Sequence, residues 1–283
     1  MASTKSYTAE FYVISEDRKR DGTLFIEMLE AAVHGYTPAL ALTPGEDEKH
    51  QIRSLTSIAD GKAWSGIFGR CRFGETPEQG AEDGQEADVE LKPGHGLVEK
   101  NHFLFFPTNN LLVYQRNRSA SSHSKLQQYI NLPAFRGIAL EPILTTDSYT
   151  RLLEGGAARM VEFSLRVPKN LKMFEGTSVQ KAIDIATATG GMNVKVKISA
   201  GRSVSNLHDV KDALVQLTRF GYASIARVKL EDEAEPIDLI ADRIKTSFSV
   251  PLEKSGRPSS KSVFQGLDQA RTTCADQLRA FFG

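Results

Sequence analysis

Across 283 residues, 35 Lys+Arg balance 35 Asp+Glu, 40% of positions are hydrophobic and 25% are charged. That length suits one large domain or two ordinary ones with a real core, and the composition excludes collagen-like, mucin-like and fully disordered chains. No apolar run approaches the roughly 18–20 residues that span a bilayer, no apolar h-region follows Met1, and two cysteines, Cys71 and Cys274, are too few for a disulfide scaffold or a Cys-based zinc site. A cytoplasmic protein is expected.

The first element is a strand at Tyr7–Ile14, rich in β-branched and aromatic residues. After the charged turn Asp17–Gly22, a helix from Thr23 lines up Leu24, Met28, Leu29, Ala32 and Val33, with Gly35 as its stop. Gln51–Ile58 and Ala63–Phe73 read as a hairpin around Asp60-Gly61. Gly74–Gly96 carries Glu75, Glu78, Glu82, Asp83, Glu86, Asp88 and Glu90 with little apolar content, which predicts a mobile acidic loop. Strands follow at Gly96–Phe106 and Asn110–Arg116. The unbroken apolar run His102–Phe106 predicts burial on both faces. A helix from Ser121 presents Leu126, Tyr129 and Ile130, and ends before Pro133.

Further along, Gly137–Leu144 is a strand, Asp147 caps a short helix, and Arg159–Val167 alternates Val161, Phe163, Leu165 and Val167 with Glu162, Ser164 and Arg166. Ser178–Thr189 is a helix with Val179, Ile183 and Ala186 inward. Asn193–Ala200 alternates Val194, Val196 and Ile198 with Lys195 and Lys197. Asn206 caps a helix over Leu207–Arg219, Ala223–Leu230 is a strand, Ile237–Val250 is a long extended segment, and Pro251–Ser260 is a linker. Lys261–Phe282 reads as one long helix with Val263, Leu267, Ala270, Cys274, Leu278 and Phe281 in a stripe. Strands and helices mix without βαβ alternation, so the expected class is α+β. The expected division is a β-rich N-terminal domain at 1–166 and a basic α+β domain at 167–283 that ends in the long helix.

The neutral total hides an uneven distribution: residues 1–100 carry a net −7, residues 101–229 a net +9 and residues 230–283 a net −2. A basic middle is a candidate surface for a polyanion, although a solvated outer face has the same composition. No phosphate-binding glycine loop, dinucleotide fingerprint or nucleophile elbow is present. The six histidines, His34, His50, His95, His102, His123 and His208, show no metal-pair spacing, and His102 inside an apolar strand reads as a satisfied core histidine. Asp88, Glu90 and Lys92 at alternate positions resemble the metal-binding corner of a Mg²⁺-dependent nuclease, against which stand the carboxylate-rich surroundings and Pro93-Gly94 directly after them. Cys71 between Arg70 and Arg72 is a small core residue in a strand pattern, with no base in view to make it a nucleophile. No enzyme class and no cofactor is expected.

The basic strands carry more. Period-two projection puts Lys195 and Lys197 on one face of their strand, and Arg227 and Lys229 on one face of theirs. Were the two strands neighbours, four cations would line a groove with Arg202, Lys211 and Arg219 at its rim and Lys181 joining from the preceding helix. Lys and Arg on such a face contact phosphates without reading bases.

The order of segments resembles the RexA exclusion proteins of lambdoid phages. The likeness begins weakly at Phe11-Tyr12. It firms up at Ile138–Leu144 (IALEPIL), the Thr145-Thr146-Asp147 turn and the strand Val161–Pro168. It continues through Asn193–Ile198, Leu207–Leu217, Phe220–Lys229 (FGYASIARVK), the acidic turn Glu231–Glu235 and Ser249–Leu252. The resemblance implies a homodimer with nonspecific affinity for double-stranded DNA, an architecture related to the RdgC recombination regulator, a role in phage exclusion or defence encoded by a prophage, and a RexB-like membrane protein as partner. In that family an Arg and a Lys two residues apart before the acidic turn are associated with DNA binding, and the matching positions are Arg227 and Lys229. The family's acidic residue early on that strand is matched by Ala223, which puts hinge control through that charge in doubt, and the acidic loop 74–96 has no counterpart there. The expectation is therefore a sequence-tolerant DNA-binding protein. A metal-dependent nuclease and an adaptor that offers its basic face to an acidic protein are the alternatives.

Overall fold

The computed structural model describes residues 3–16, 25–34, 41–74, 77–130, 132, 138–145, 147–148, 151, 156–166, 179–200, 223–231 and 234–282. In chain order these hold β1 (Thr4–Glu16), α1 (Phe25–His34), β2 (Leu42–Gly45), β3 (Glu48–Ile58), β4 (Ala63–Arg72), β5 (Gln79–Gly80), β6 (Glu86–Ala87), β7 (Leu97–Phe106), β8 (Leu111–Arg116) and α2 (His123–Ile130). Then come β9 (Ile138–Pro142), β10 (Ala158–Arg166), α3 (Gln180–Ala188), β11 (Asn193–Ser199), β12 (Ala223–Leu230), β13 (Ile237–Asp238), β14 (Lys245–Pro251), α4 (Ser260–Thr273) and α5 (Ala275–Phe282). The fold is α+β and rich in strand, as expected.

The chain divides into two compact units. One comprises Met1–Ala9, Ile14–Ala139 and Thr246–Thr272; the other comprises Glu10–Val13, Leu140–Lys245 and Thr273–Gly283. Sheet membership does not follow the boundary expected after residue 166. β10, which ends there, lies between β11 and β12, while β14 from the C-terminal side joins the sheet of β1.

In the first unit the sheet runs β14-β1-β8-β7-β4-β3-β2. The hairpin at Asp60-Gly61 forms through three successive left-handed residues, Ala59, Asp60 and Gly61, with φ of 51, 53 and 86°. β7 is buried at every position from Asn101 to Phe105, and its two faces have different covers. α1 packs on one face through Phe25 against Phe105, ring centroids 4.9 Å apart, and Tyr129 of α2 packs on the neighbouring Phe68 at 5.2 Å. On the other face Phe264 of α4 meets His102 at 5.0 Å, and Arg271 lies 4.4 Å over the Phe106 ring. A strand covered on both sides has no polar side to show, which is why His102–Phe106 lacks alternation. The Pro107–Asn109 turn then closes with Asn110 in the left-handed region, φ 52°.

The second unit holds the antiparallel sheet β11-β10-β12-β13. Its core takes Val161, Phe163 and Leu165 of β10, Ala226, Val228 and Leu230 of β12, Val194 of β11 and Ile237 of β13. Val179, Ile183 and Ala186 of α3 and its entry cover this face. Full burial of each large apolar side chain contributes about 1.5–3 kcal/mol, so the apolar half of each alternating strand commits that face to α3.

Three expectations need correction. Ile237–Val250 is not one extended segment. The Asp238 carboxylate accepts the N–H groups of Ile240 at 3.0 Å and Ala241 at 2.9 Å, and this local turn separates β13 from β14. The terminal helix is two helices, α4 and α5, that meet at Cys274. The acidic loop contains a short ladder, with Gln79 opposite Ala87 and Gly80 opposite Glu86, and its described residues from Pro77 to Asp88 are exposed. The expected helix over 207–219 lies outside the described residues. So does most of the one after Asp147.

Gly66 of β4 sits directly opposite Phe103 of β7, and a Cβ built on it would overlap the Phe103 ring. Gly66→Ala is expected to cost about 1–3 kcal/mol by overpacking, read as a lowered thermal unfolding midpoint, whereas Gly80→Ala, with open space around it, leaves the midpoint nearly unchanged.

Candidate functional site

Residues directly opposite one another in an antiparallel ladder project to the same side. Across the second sheet Lys197, Glu162, Arg227 and Asp238 form one such row. Lys195, Ser164 and Ile225 form a second row, and Ser199, Met160 and Lys229 a third. Their chain neighbours Val161, Phe163, Ala226 and Val228 point into the core under α3. Lys195, Lys197, Arg227 and Lys229 therefore share one face, the one opposite α3.

The strands carrying these cations are not neighbours, because β10 lies between them and brings a carboxylate into the middle. Lys195 Nζ is 3.0 Å from Glu162 Oε1, and Arg227 reaches Glu162 at 3.7 Å. Arg227 Nε also donates to Asp238 Oδ2 at 2.9 Å. The hydrogen bond from Lys195, with the charges of Arg227 and Lys197 nearby, holds the Glu162 carboxyl below its usual range. The Asp238 carboxylate raises the Arg227 guanidinium pKa. Partial burial works to raise Asp238, but the N–H groups of Ala241 and Ile240 and the Arg227 guanidinium outweigh it, and the net shift is downward. Both carboxylates are charged at neutral pH. Among the described residues no ion pair holds Lys197 or Lys229, although Lys197 lies within the field of Glu162 directly opposite it.

The remaining expected residues fall elsewhere. Lys181 is exposed, but on α3, the helix that covers the opposite face, so it does not join this surface. Arg202, Lys211 and Arg219 lie outside the described residues. Asp88, Glu90 and Lys92 are exposed in a segment without strand structure, so the expected alternation on a strand is not formed. Among the described residues no group of three or more His, Cys, Asp or Glu side chains is placed to hold a metal ion. Cys71 is 3% exposed within β4.

One constellation escaped the sequence reading. His50 Nε2 lies 2.5 Å from Glu48 Oε1 and Nδ1 lies 2.7 Å from Ser121 Oγ, while Arg70 donates to the other Glu48 oxygen at 2.8 Å. A carboxylate only accepts, so Nε2 carries the proton and Nδ1 accepts from the Ser121 hydroxyl. The chemistry is that of a Ser-His-Glu relay, but its exposure runs backwards. Ser121 is 2% exposed, whereas the Glu48 side chain is 27% exposed, so the solvent-facing end is the carboxylate and the hydroxyl is sealed. A nucleophile needs the reverse, and the relay acts as a tie between β3 and the turn into α2. Glu48 and His50 precede the strand expected from Gln51, and Ser121 lies 71 residues from His50, so no local pattern joined the three. His102 is satisfied in the manner expected of a core histidine. Gln115 Oε1 accepts from Nδ1 at 2.8 Å, and Ser260 Oγ donates to Nε2 at 2.9 Å.

Burial lowers the pKa of both His50 and His102 below 6.5, despite opposing bonds to Glu48 and Gln115. The unfolded chain then binds more protons than the native one, so this stability is fully present above about pH 6.5 and is lost as pH falls below it. Glu48, whose burial is outweighed by its bonds to Arg70 and His50, is also lowered, and its contribution is lost as pH falls below about 4.5. Thermal melts should show a lower midpoint at pH 5.5 than at pH 7.5, and the double substitution His50→Gln with His102→Gln should flatten that slope.

A family model described as a family of unknown function (DUF6731) matches residues 12–276, nearly the whole chain. No curated protein matches the chain.

Proposed function

We propose that this chain, which belongs to the family of unknown function DUF6731, binds the backbone of double-stranded DNA through the open face of its second sheet and does so without reading base sequence. The observation that carries this reading is the convergence of Lys195, Lys197, Arg227 and Lys229 on the face opposite α3, with Lys197 and Lys229 free of ion pairs among the described residues. Lys and Arg on a β surface take phosphate oxygens as point charges and forks, and such contacts position a duplex without selecting a sequence. The likeness of Phe220–Lys229 to the strand associated with DNA binding in phage exclusion proteins supports the same face. It gives the proposal its biological setting: a dimer that acts in phage exclusion or defence, with a membrane protein of the RexB kind as a downstream partner.

Each phosphate neutralised releases condensed counterions, so affinity for a random-sequence duplex should fall steeply with salt. Lys197→Ala combined with Lys229→Ala is expected to weaken binding about equally across sequences and to lower the slope of log affinity against log salt by roughly 1.8, about 0.9 for each lost contact. Gel-shift titration at several salt concentrations measures both quantities. Unchanged affinity and slope in that double variant would remove the face from consideration.

A further inference from the structure

The four cations form two rows with a gap between them. Lys195 and Lys197 are two residues apart on β11, and Arg227 and Lys229 are two residues apart on β12, so each row repeats at about 6.6–6.8 Å. β10 separates the rows by two strand spacings, roughly 9–10 Å. Level with the four cations, β10 places Met160, Glu162 and Ser164 on this face, and its next position there, Arg166, comes only beyond Lys195, opposite Asn193. Glu162 is drawn toward both rows at once and is recessed, its side chain 12% exposed.

A single polyanionic strand could draw on all four cations only by lying along β10, and there its phosphates would meet the Glu162 carboxylate. Displaced to one row, it reaches half of the cations. A duplex presents two backbones on either side of a groove about 6 or 12 Å wide. For each backbone to meet its own row across the wider groove, the long Lys and Arg side chains must splay outward from a row spacing of roughly 9–10 Å, and the carboxylate then faces the gap rather than a phosphate. We infer that Glu162 is a specificity-determining residue, which makes this face accept two backbones and turn away one. The inference rests on the duplex-binding reading above and adds to it the residue that separates duplex from single strand.

Fluorescence anisotropy with labelled random-sequence DNA, as a duplex and as a single strand of equal length, tests it on the full-length wild type, Glu162→Gln and Asp238→Asn. Asp238 lies outside the β12 row, and Asn keeps the oxygen that accepts the Ile240 and Ala241 N–H groups. The wild type is expected to favour the duplex. Glu162→Gln should raise single-strand affinity about tenfold while raising duplex affinity about threefold or less, since only the single strand gains a second row of contacts. Asp238→Asn should raise both by a similar factor and leave their ratio unchanged. Glu162→Ser, which repeats the Ser164 side chain on the same strand, gives the same readout should Glu162→Gln fail to fold. An equal gain for duplex and single strand in the Glu162 variants overturns the inference while leaving duplex binding intact, as does a wild type that binds both forms equally. A wild type that binds neither form overturns the duplex-binding reading itself, and the inference with it.

Discussion

The second unit buries one face of a four-stranded sheet under α3 and leaves the other uncovered among the described residues, and the period-two projection of a strand does the rest. Once Val161, Phe163 and Leu165 must face α3, Glu162 and Ser164 have to face away from it. The same commitment on β11 and β12 sends Lys195, Lys197, Arg227 and Lys229 to the side that Glu162 occupies. A one-residue slip would bury a cation in an apolar core, at a cost that no packing gain in this sheet could offset. The apolar face thus fixes the charge pattern of the open one.

What the alternation could not supply is strand order. Each basic strand was legible by itself, because Val194-Lys195-Val196-Lys197 and Ala226-Arg227-Val228-Lys229 announce their faces locally. That β10 would stand between them is a non-local fact, decided by which apolar faces complete a core together, and it turns a continuous cationic groove into two rows with a carboxylate in the middle. Glu162 was already on the polar side of its strand by pattern; only the register placed it between Lys197 and Arg227. Lys181 failed for the complementary reason. Helix periodicity showed that it would be exposed, but not which face of the sheet its helix would cover.

Local signals also explain the two broken elements. Asp238 and Asp242 interrupt an otherwise extended apolar run, and short acidic side chains that bond nearby N–H groups favour a turn over a ladder. The terminal stripe Val263, Leu267, Ala270, Cys274, Leu278 continues through the junction of α4 and α5, so periodicity had no means to register the break. Just before it, Thr272 bonds back to the Asp268 carbonyl at 3.0 Å, a side-chain bond that competes with helix geometry. The Glu48–His50–Ser121 tie was not legible. β3 begins at Glu48, before the strand expected from Gln51, which puts Glu48 and His50 on one strand face, and a turn preceding α2 supplies the third member, which only the fold brings in.

The ion pairs on the open face set how tightly it can hold an anion. Lys195 and Arg227 are 62% and 43% exposed while their carboxylates are recessed, so a phosphate can reach either cation from the solvent side. The carboxylates still subtract from the field that draws a polyanion in, and among the described residues they leave Lys197 and Lys229 outside any ion pair. On the proposed reading, a face built this way would grip a backbone weakly per contact and release it as salt rises. Under the proposed duplex binding, this arrangement favours contact without sequence selection, whereas four unopposed cations would hold any polyanion that reached them.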